Sequence, residues 1–366
     1  MILSLEKTPP ANSHLIKFAK ICFKMNKPTG FIIWLIIGTL WFITACSKEE
    51  NTPQRTNRIA MLAQGITFDD LSFLQSCKTG LEKAKPVFTI SCEYNIDTTT
   101  NRYQERLEYY GNLNFDLIIA VGYMWNDAVV ASAKKHPATR FVLVDAEISQ
   151  PLPNVVSILF DVDEVAYPLG FLSAWWAFNN DNQNPMVGFV GALEIPPIRQ
   201  FTEPYLNGLK RFIKEYGKAV AYHGVYAGTF IDSGLGGYLA DSLITLGADV
   251  MFGVGGQTGN GALLKAKERG KQGIGVDVDQ FLSFPEVSDI LISSAMKSLD
   301  NAIYAVVKSF VDGNFNGGGI YTGNLANQGV QMAPWHDYES QIPDSVNLAI
   351  ENIKAGIIDG SIKTGW

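Results

Sequence analysis

The chain has 366 residues, 47% of them hydrophobic and 18% charged, with a formal net charge of -7. That supplies apolar material for one or two cores and a length suited to about two domains. The acidic balance leaves no basic footprint for a phosphate backbone, so nucleic acid is not an expected partner.

In chain order, Met1–Lys24 reads as a non-native upstream extension outside the fold, because a signal opens near its basic start. From Met25 the chain runs MNKPTG, then the apolar stretch Phe31–Phe42, then Ile43-Thr44-Ala45-Cys46 and the polar SKEENTPQRTNR. A basic start, an apolar centre and small residues before a cut make 25–46 a secretory signal, too short and wrongly flanked for a stable span. The stretch ending in cysteine resembles the bacterial lipoprotein box. That resemblance implies lipidation of Cys46 and a body tethered outside the cytoplasm, the alternative being a single-pass anchor. A polar linker, 47–57, follows.

Strands and helices then alternate. Arg58–Leu62 is a predicted strand, Phe73–Lys83 a helix, Val87–Glu93 a strand and Asn101–Leu113 a helix; next come strand Leu117–Val121, helix Asn126–Lys135 and strand Arg140–Asp145. Val165–Phe178, apolar nearly all round, is a core helix too short to span a membrane. The rhythm returns with strand Met186–Val190, helix Ile198–Tyr216, strand Ala219–Val225 and helix Gly236–Leu246. It closes on a βαβ unit: strand Asp249–Val254, a glycine-rich turn Gly255–Gly261, helix Ala262–Arg269 and strand Gly273–Val276. Two such βα runs predict an α/β protein of two doubly wound parallel-sheet lobes with a ligand cleft between them. Cys77 and Cys92 fall in the body, and whether they pair is open. No CxxC, HExxH or histidine cluster appears among four histidines, so neither metal nor cofactor is expected.

Open α/β sheets bind ligands beyond the carboxyl ends of their strands, and here those ends collect acids, glycines and aromatics. Asp69 and Asp70 follow the first strand, and one of them suits a helix cap worth about 1 kcal/mol. Tyr123 follows the third strand and Asp145 ends the fourth. Gly255, Gly256 and then Asp277 and Asp279 follow the later ones. Carboxylates accept paired hydroxyl donors, and aromatic faces bury a flat ring, so the set suits a neutral polyhydroxylated ligand carrying a heterocycle. The run GVGGQTGNG lacks the G-x-x-x-x-G-K-[ST] spacing and is not a clean dinucleotide G-x-G-x-x-G unit; it reads as a tight turn presenting backbone amides to an uncharged ligand.

Several runs resemble the basic membrane protein family, the purine nucleoside receptor lipoproteins that serve ABC importers. They are FDDLSFLQSCKTGL, FDLIIAVGYMWNDAV, KKHPATRFVLVD, GFVGALEIPPIRQF and, most specifically, Gly247–Lys297. The resemblance spans about 59–330. It implies a type I periplasmic-binding-protein-like fold with lobes 58–162 plus about 285–315, and 163–284 plus about 316–366. It also implies no enzymatic activity, a purine nucleoside ligand, and ABC transporter membrane subunits as partners. The family's acid before SFN falls on Asp70, beside Asp69, and its aromatic on Phe73. Its ribose-holding acid falls on Asp277 and the lysine of SxxK on Lys297, with Asp145 a further candidate. Leu71 and Leu74 depart from the family pattern, which leaves base selectivity open. A ligand-sensing regulatory lipoprotein is the alternative reading, and a secreted nucleoside hydrolase a third.

Overall fold

Strand sequences such as LIIAV and VMFGV carry no polar alternation, so both faces of each strand need cover. In the computed structural model, which describes residues 55–98, 101–181 and 183–366, every residue of these two strands is buried. The predicted leader, with Cys46, and nearly all of the linker lie outside the described residues.

The first sheet is built from β1 (Asn57–Gln64), β2 (Ile90–Asp97), β3 (Leu117–Val121), β4 (Arg140–Val144) and β5 (Val155–Phe160). The helices α1 (Phe73–Ala84), α2 (Tyr103–Asn112) and α3 (Asn126–Lys135) connect the first four of them. The second contains β6 (Met186–Gly191), β7 (Ala221–Tyr226), β8 (Val250–Val254), β9 (Gln272–Asp277) and β10 (Leu291–Lys297). Between and after these strands run α4 (Asp163–Asn180), α5 (Pro196–Tyr216), α6 (Ser233–Thr245), α7 (Gly256–Glu268), the short α8 (Gln280–Ser283) and α9 (Leu299–Val311). The chain ends with β11 (Ile320–Gly323), β12 (Val330–Met332) and α10 (Asp344–Ile358). Strand order is β2-β1-β3-β4-β5-β11 in one sheet and β7-β6-β8-β9-β10-β12 in the other. All pairings are parallel except β10 with β12. These are the two doubly wound parallel-sheet lobes the alternation predicts.

The lobe boundaries differ from those expected near the carboxyl end. β10 (Leu291–Lys297), expected in the first lobe, pairs with β9 in the second sheet. β11 (Ile320–Gly323), expected in the second lobe, pairs with β5 in the first. The return segment is therefore α9 and β11, with α9 packed on α1. The chain passes between lobes three times: after β5, after β10 and after β11. Those crossings are stitched side by side by the amide of Asp161 donating to Gly323 O (2.8 Å) and that of Ser298 to Gly329 O (2.8 Å).

α4 is buried on nearly all sides, as its uniform apolarity requires, and packs chiefly on α5. Among the described residues no helix is long and apolar enough to cross a membrane. Cys77 and Cys92 are both free.

The glycine-rich run is not the expected turn. Helix α7 begins at Gly256 and includes the rest of the run, whose glycines serve close approach: a Cβ on Gly261 would lie 2.0 Å from Ser233 O on α6, and one on Gly259 3.0 Å from the backbone of β8. Gly261→Ala therefore tests two opposed effects. Alanine's helix propensity favours the variant by about 1 kcal/mol, while overpacking costs about 1–3 kcal/mol or more. Contact with backbone cannot be relieved by a rotamer change, so the expected outcome is a lower midpoint of urea unfolding; an unchanged or higher midpoint would refute the close-packing account.

Candidate ligand-binding site

Three strands end in charged residues at one place. Asp145 follows β4 of the first lobe; Asp277 and Lys297 end β9 and β10 of the second. Lys297 Nζ lies 2.5 Å from Asp145 Oδ2 and 3.7 Å from Asp277 Oδ1. The lysine side chain is only 4% exposed, and the Phe73 and Phe201 rings stand 5.1 Å from its ammonium. A buried charge of this kind persists only when paired, and here one cation serves two anions from opposite lobes.

Both acids hold unusual backbone. Asp145 has φ +61° and Asp277 φ +66°, a left-handed region that Asp tolerates better than most residues. Around Asp277 the amide of Val278 donates to Val276 O (2.8 Å), closing a three-residue turn of the strained positive-φ kind. Strain of this type costs about 1–3 kcal/mol and must be held by its surroundings. Ser72 Oγ donates to Asp277 Oδ2 (2.9 Å), a direct bond from the first lobe.

Burial pushes the Asp277 carboxyl up to about 6, Lys297 pulling it down in opposition. For Lys297, burial disfavours the ammonium, but Asp145 and Asp277 outweigh it and hold the group above its ordinary range. The folded protein therefore binds the Asp277 proton more tightly than the unfolded chain. Stability from this group is present at acid pH and lost as pH rises through about 6.

Asp70 is committed differently. Its carboxylate accepts from the amides of Ser72 (3.1 Å), Leu74 (3.0 Å) and Gln75 (3.0 Å), so it caps α1. Burial raises its carboxyl pKa against the pull of those amides.

These groups line a cavity that is open in part to solvent, with about 910 Å³ of empty space when its solvent-open part is included. Of the residues singled out in the sequence, Asp70, Phe73, Tyr123, Asp145, Gly255, Gly256, Asp277 and Lys297 all line it. Gly255 and Gly256 do so with φ +110° and +55°, backbone that only glycine adopts without strain at such a turn. Asp69 is the exception: its side chain is 67% exposed and pairs with Lys78 (2.9 Å) on the surface. Asp279 also turns elsewhere, to His336 Nε2 (2.8 Å).

Sequence reasoning missed Phe201 on α5, Phe230 in the loop after β7, and the amides Gln64 and Gln257, all in the lining. Pro196 and Pro197 at the start of α5 were the readable signal for Phe201, since proline at the first helical positions fixes where the helix begins. Gln64 Oε1 accepts from the Tyr103 hydroxyl. Among the described residues, no three His, Cys, Asp or Glu side chains gather as metal ligands.

Two parallel α/β lobes joined by adjacent crossings, with a cavity walled by both, define a bilobal solute-binding protein. The chain belongs to the family of PnrA-like ABC transporter substrate-binding proteins, whose family model matches residues 56–362. It is therefore a binding protein and not an enzyme. It is 31% identical over 311 residues to an uncharacterized lipoprotein of Pyrococcus horikoshii, covering 82% of this chain and 75% of that one. Over 346 residues it is 26% identical to basic membrane protein D of Borreliella burgdorferi, covering 93% and 96%. Among solved structures it is similar to an ABC transporter solute-binding protein of Aeropyrum pernix, with TM-score 0.79 and 26% identity over 84% of this chain and 92% of that one.

Lys297→Met should leave Asp145 and Asp277 buried without a counter-charge, a loss of about 3–5 kcal/mol. Urea unfolding above neutral pH should show that deficit. Because Asp277 takes up a proton below about 6, and above that value once Lys297 is gone, the deficit should shrink as the pH is lowered. A deficit independent of pH would mean that the lysine acts through packing alone.

Proposed function

We propose that this protein is an extracytoplasmic, lipid-anchored receptor that binds a purine nucleoside by closure of its two lobes and presents it to ABC transporter membrane subunits. The observation that carries the ligand assignment is the pair of chemistries that line one cavity. Its charged set is Asp145, Asp277 and Lys297, and its aromatic set is Phe73, Phe201 and Phe230, with the Phe73 and Phe201 rings 5.1 Å from the Lys297 ammonium. Vicinal hydroxyls suit the first, which offers carboxylate acceptors and an ammonium donor. A planar base suits the second. The charged trio sums to -1, so a phosphate on the same ligand is disfavoured.

Titration of the soluble body, residues 47–366, with inosine, hypoxanthine and inosine monophosphate tests the reading. Inosine is expected to bind far more tightly than the other two. Asp277→Asn should cost about 1.5–3 kcal/mol of inosine binding, the range for a hydrogen bond to a charged group. Hypoxanthine binding as tightly as inosine would remove the ribose assignment.

The pH dependence has a defined sign. Since the Asp277 carboxyl titrates at about 6, lowering the pH through that value neutralises the acceptor before ligand arrives. Inosine affinity should fall as pH drops below 6, while the free protein's stability gains from the same protonation. Affinity flat across this range would separate Asp277 from the ligand.

Anchoring is supported by the small-residue stretch before Cys46 and by the lipoprotein relative of Pyrococcus horikoshii. Cys46→Ser should abolish acylation and release soluble protein or uncleaved precursor. Membrane attachment and processing unchanged in that variant would refute the anchor.

A further inference from the structure

Two buried amides lie outside the cavity and join its two sides. Asn260, on α7, is 8% exposed, and Gln280, at the start of α8, is fully buried; neither lines the cavity. Gln280 Oε1 accepts from the amide of Val276 (2.9 Å), the residue before Asp277. Gln280 Nε2 donates to Asn260 Oδ1 (2.9 Å). Asn260 Nδ2 donates across to the backbone carbonyl of Asp70 in the first lobe (3.0 Å). The chain of bonds thus runs from the strained turn carrying Asp277 to the loop that opens α1.

Two further bonds end on that loop. Ser283 Oγ donates to Leu71 O (2.8 Å), and Ser72 Oγ donates to Asp277 Oδ2 (2.9 Å). Three successive residues of the first lobe, Asp70, Leu71 and Ser72, are therefore each bonded to the second. Leu71 is held there at φ +61°, a conformation that a leucine adopts only when its surroundings impose it.

We propose that Asn260 and Gln280 are positioning residues for this binding site, forming a relay through which seating the Asp70–Ser72 loop on the second lobe sets the place of the Asp277 carboxylate. Both side chains act through backbone atoms and touch no ligand. Gln280 braces the turn on which Asp277 stands, and Asn260 makes that brace complete only when the opposite lobe is in contact. A ligand held by Asp277 then favours the closed arrangement through the relay as well as by its own contacts, since a ligand shifts an equilibrium only by its differential affinity for the two states. The inference rests on the reading of the cavity as a receptor site, whatever the solute.

Asn260→Ala breaks two of the relay's three bonds, those to Gln280 and to the Asp70 carbonyl, and Ser283→Ala removes a parallel cross-lobe bond without opening the core. The readouts are inosine affinity and dissociation rate, melting temperature without inosine, and hydrogen exchange of the 66–76 segment without inosine. Asn260→Ala is expected to weaken inosine binding by about tenfold or more, mainly through faster dissociation, because the closed liganded state loses the bond to Asp70 that holds it shut and opens more readily. Ser283→Ala should weaken it by a smaller factor with an unchanged melting temperature. In Asn260→Ala, exchange in 66–76 should quicken although that segment is far from residue 260 in sequence. A lower melting temperature with native affinity and native exchange in 66–76 would reduce Asn260 to a core residue and overturn the proposal. If native protein binds no nucleoside, the ligand assignment fails, whereas the exchange comparison still decides the relay.

Discussion

A single ammonium, that of Lys297, holds the centre of this protein together. It has almost no contact with water and is shared between Asp145 of one lobe and Asp277 of its own. Removing such a charge from water is expensive, and the attraction gained in return roughly offsets that cost only when the geometry is good. The geometry here requires the side chains at the ends of β4, β9 and β10 to meet, with the two carboxylates 2.5 and 3.7 Å from the ammonium, although β4 belongs to a different sheet. The ion cluster is thus a statement about lobe placement. Separating the lobes would hydrate these groups and forfeit the Lys297–Asp145 attraction, two effects of opposite sign, while the Lys297–Asp277 pair stays within one lobe. Near balance of that kind is what a reversible closing motion needs.

The way the chain crosses between lobes fits the same requirement. Three crossings lie side by side after β5, β10 and β11, tied by backbone bonds at Asp161 and Ser298. Lys297 immediately precedes one of them. A rotation about the crossings would move Asp145 relative to Lys297 while leaving each sheet's ladder intact, since the buried α4 packs on α5 within the second lobe. Hinges of this kind concentrate the change in a few residues at element ends.

Much of this was legible from sequence, and the failures have physical causes. β3 and α3 fall on the predicted residues because an uninterrupted apolar run and a helix flanked by turn residues leave little freedom. The glycine run misled because glycine has one letter for two uses: it reads as a turn, yet here it removes the Cβ that would strike Ser233 across the helix pair. The lobe membership of β10 and β11 could not be read, since the buried β10 looks alike in either sheet and the edge strand β11, four residues long and partly exposed, carries no pattern of its own. Asp69 and Asp70 are adjacent and chemically identical, and only the helix axis decides which meets the amides and which meets solvent. Phe201 and Phe230 reach the cavity from separate elements of the second lobe, so no local pattern ties them to Phe73.

The Asp70–Ser72 segment shows why a ligand-binding motif need not be made of ligand-binding atoms. Asp70 spends its carboxylate on three amides at the start of α1, and so fixes where its own carbonyl and the Ser72 hydroxyl point. That carbonyl receives Asn260 and that hydroxyl reaches Asp277. A helix cap on one lobe thereby becomes the seat for the other. Replacing the capping acid would misplace two cross-lobe bonds even if the carboxylate never met a solute, so a loss of binding on substituting Asp70 cannot by itself mark it as a contact residue. What the scaffold does not consume along the cavity is the remaining acceptor capacity of Asp145 and Asp277, the spare protons of Lys297 and the aromatic faces around them, the groups on which the proposed ligand assignment rests.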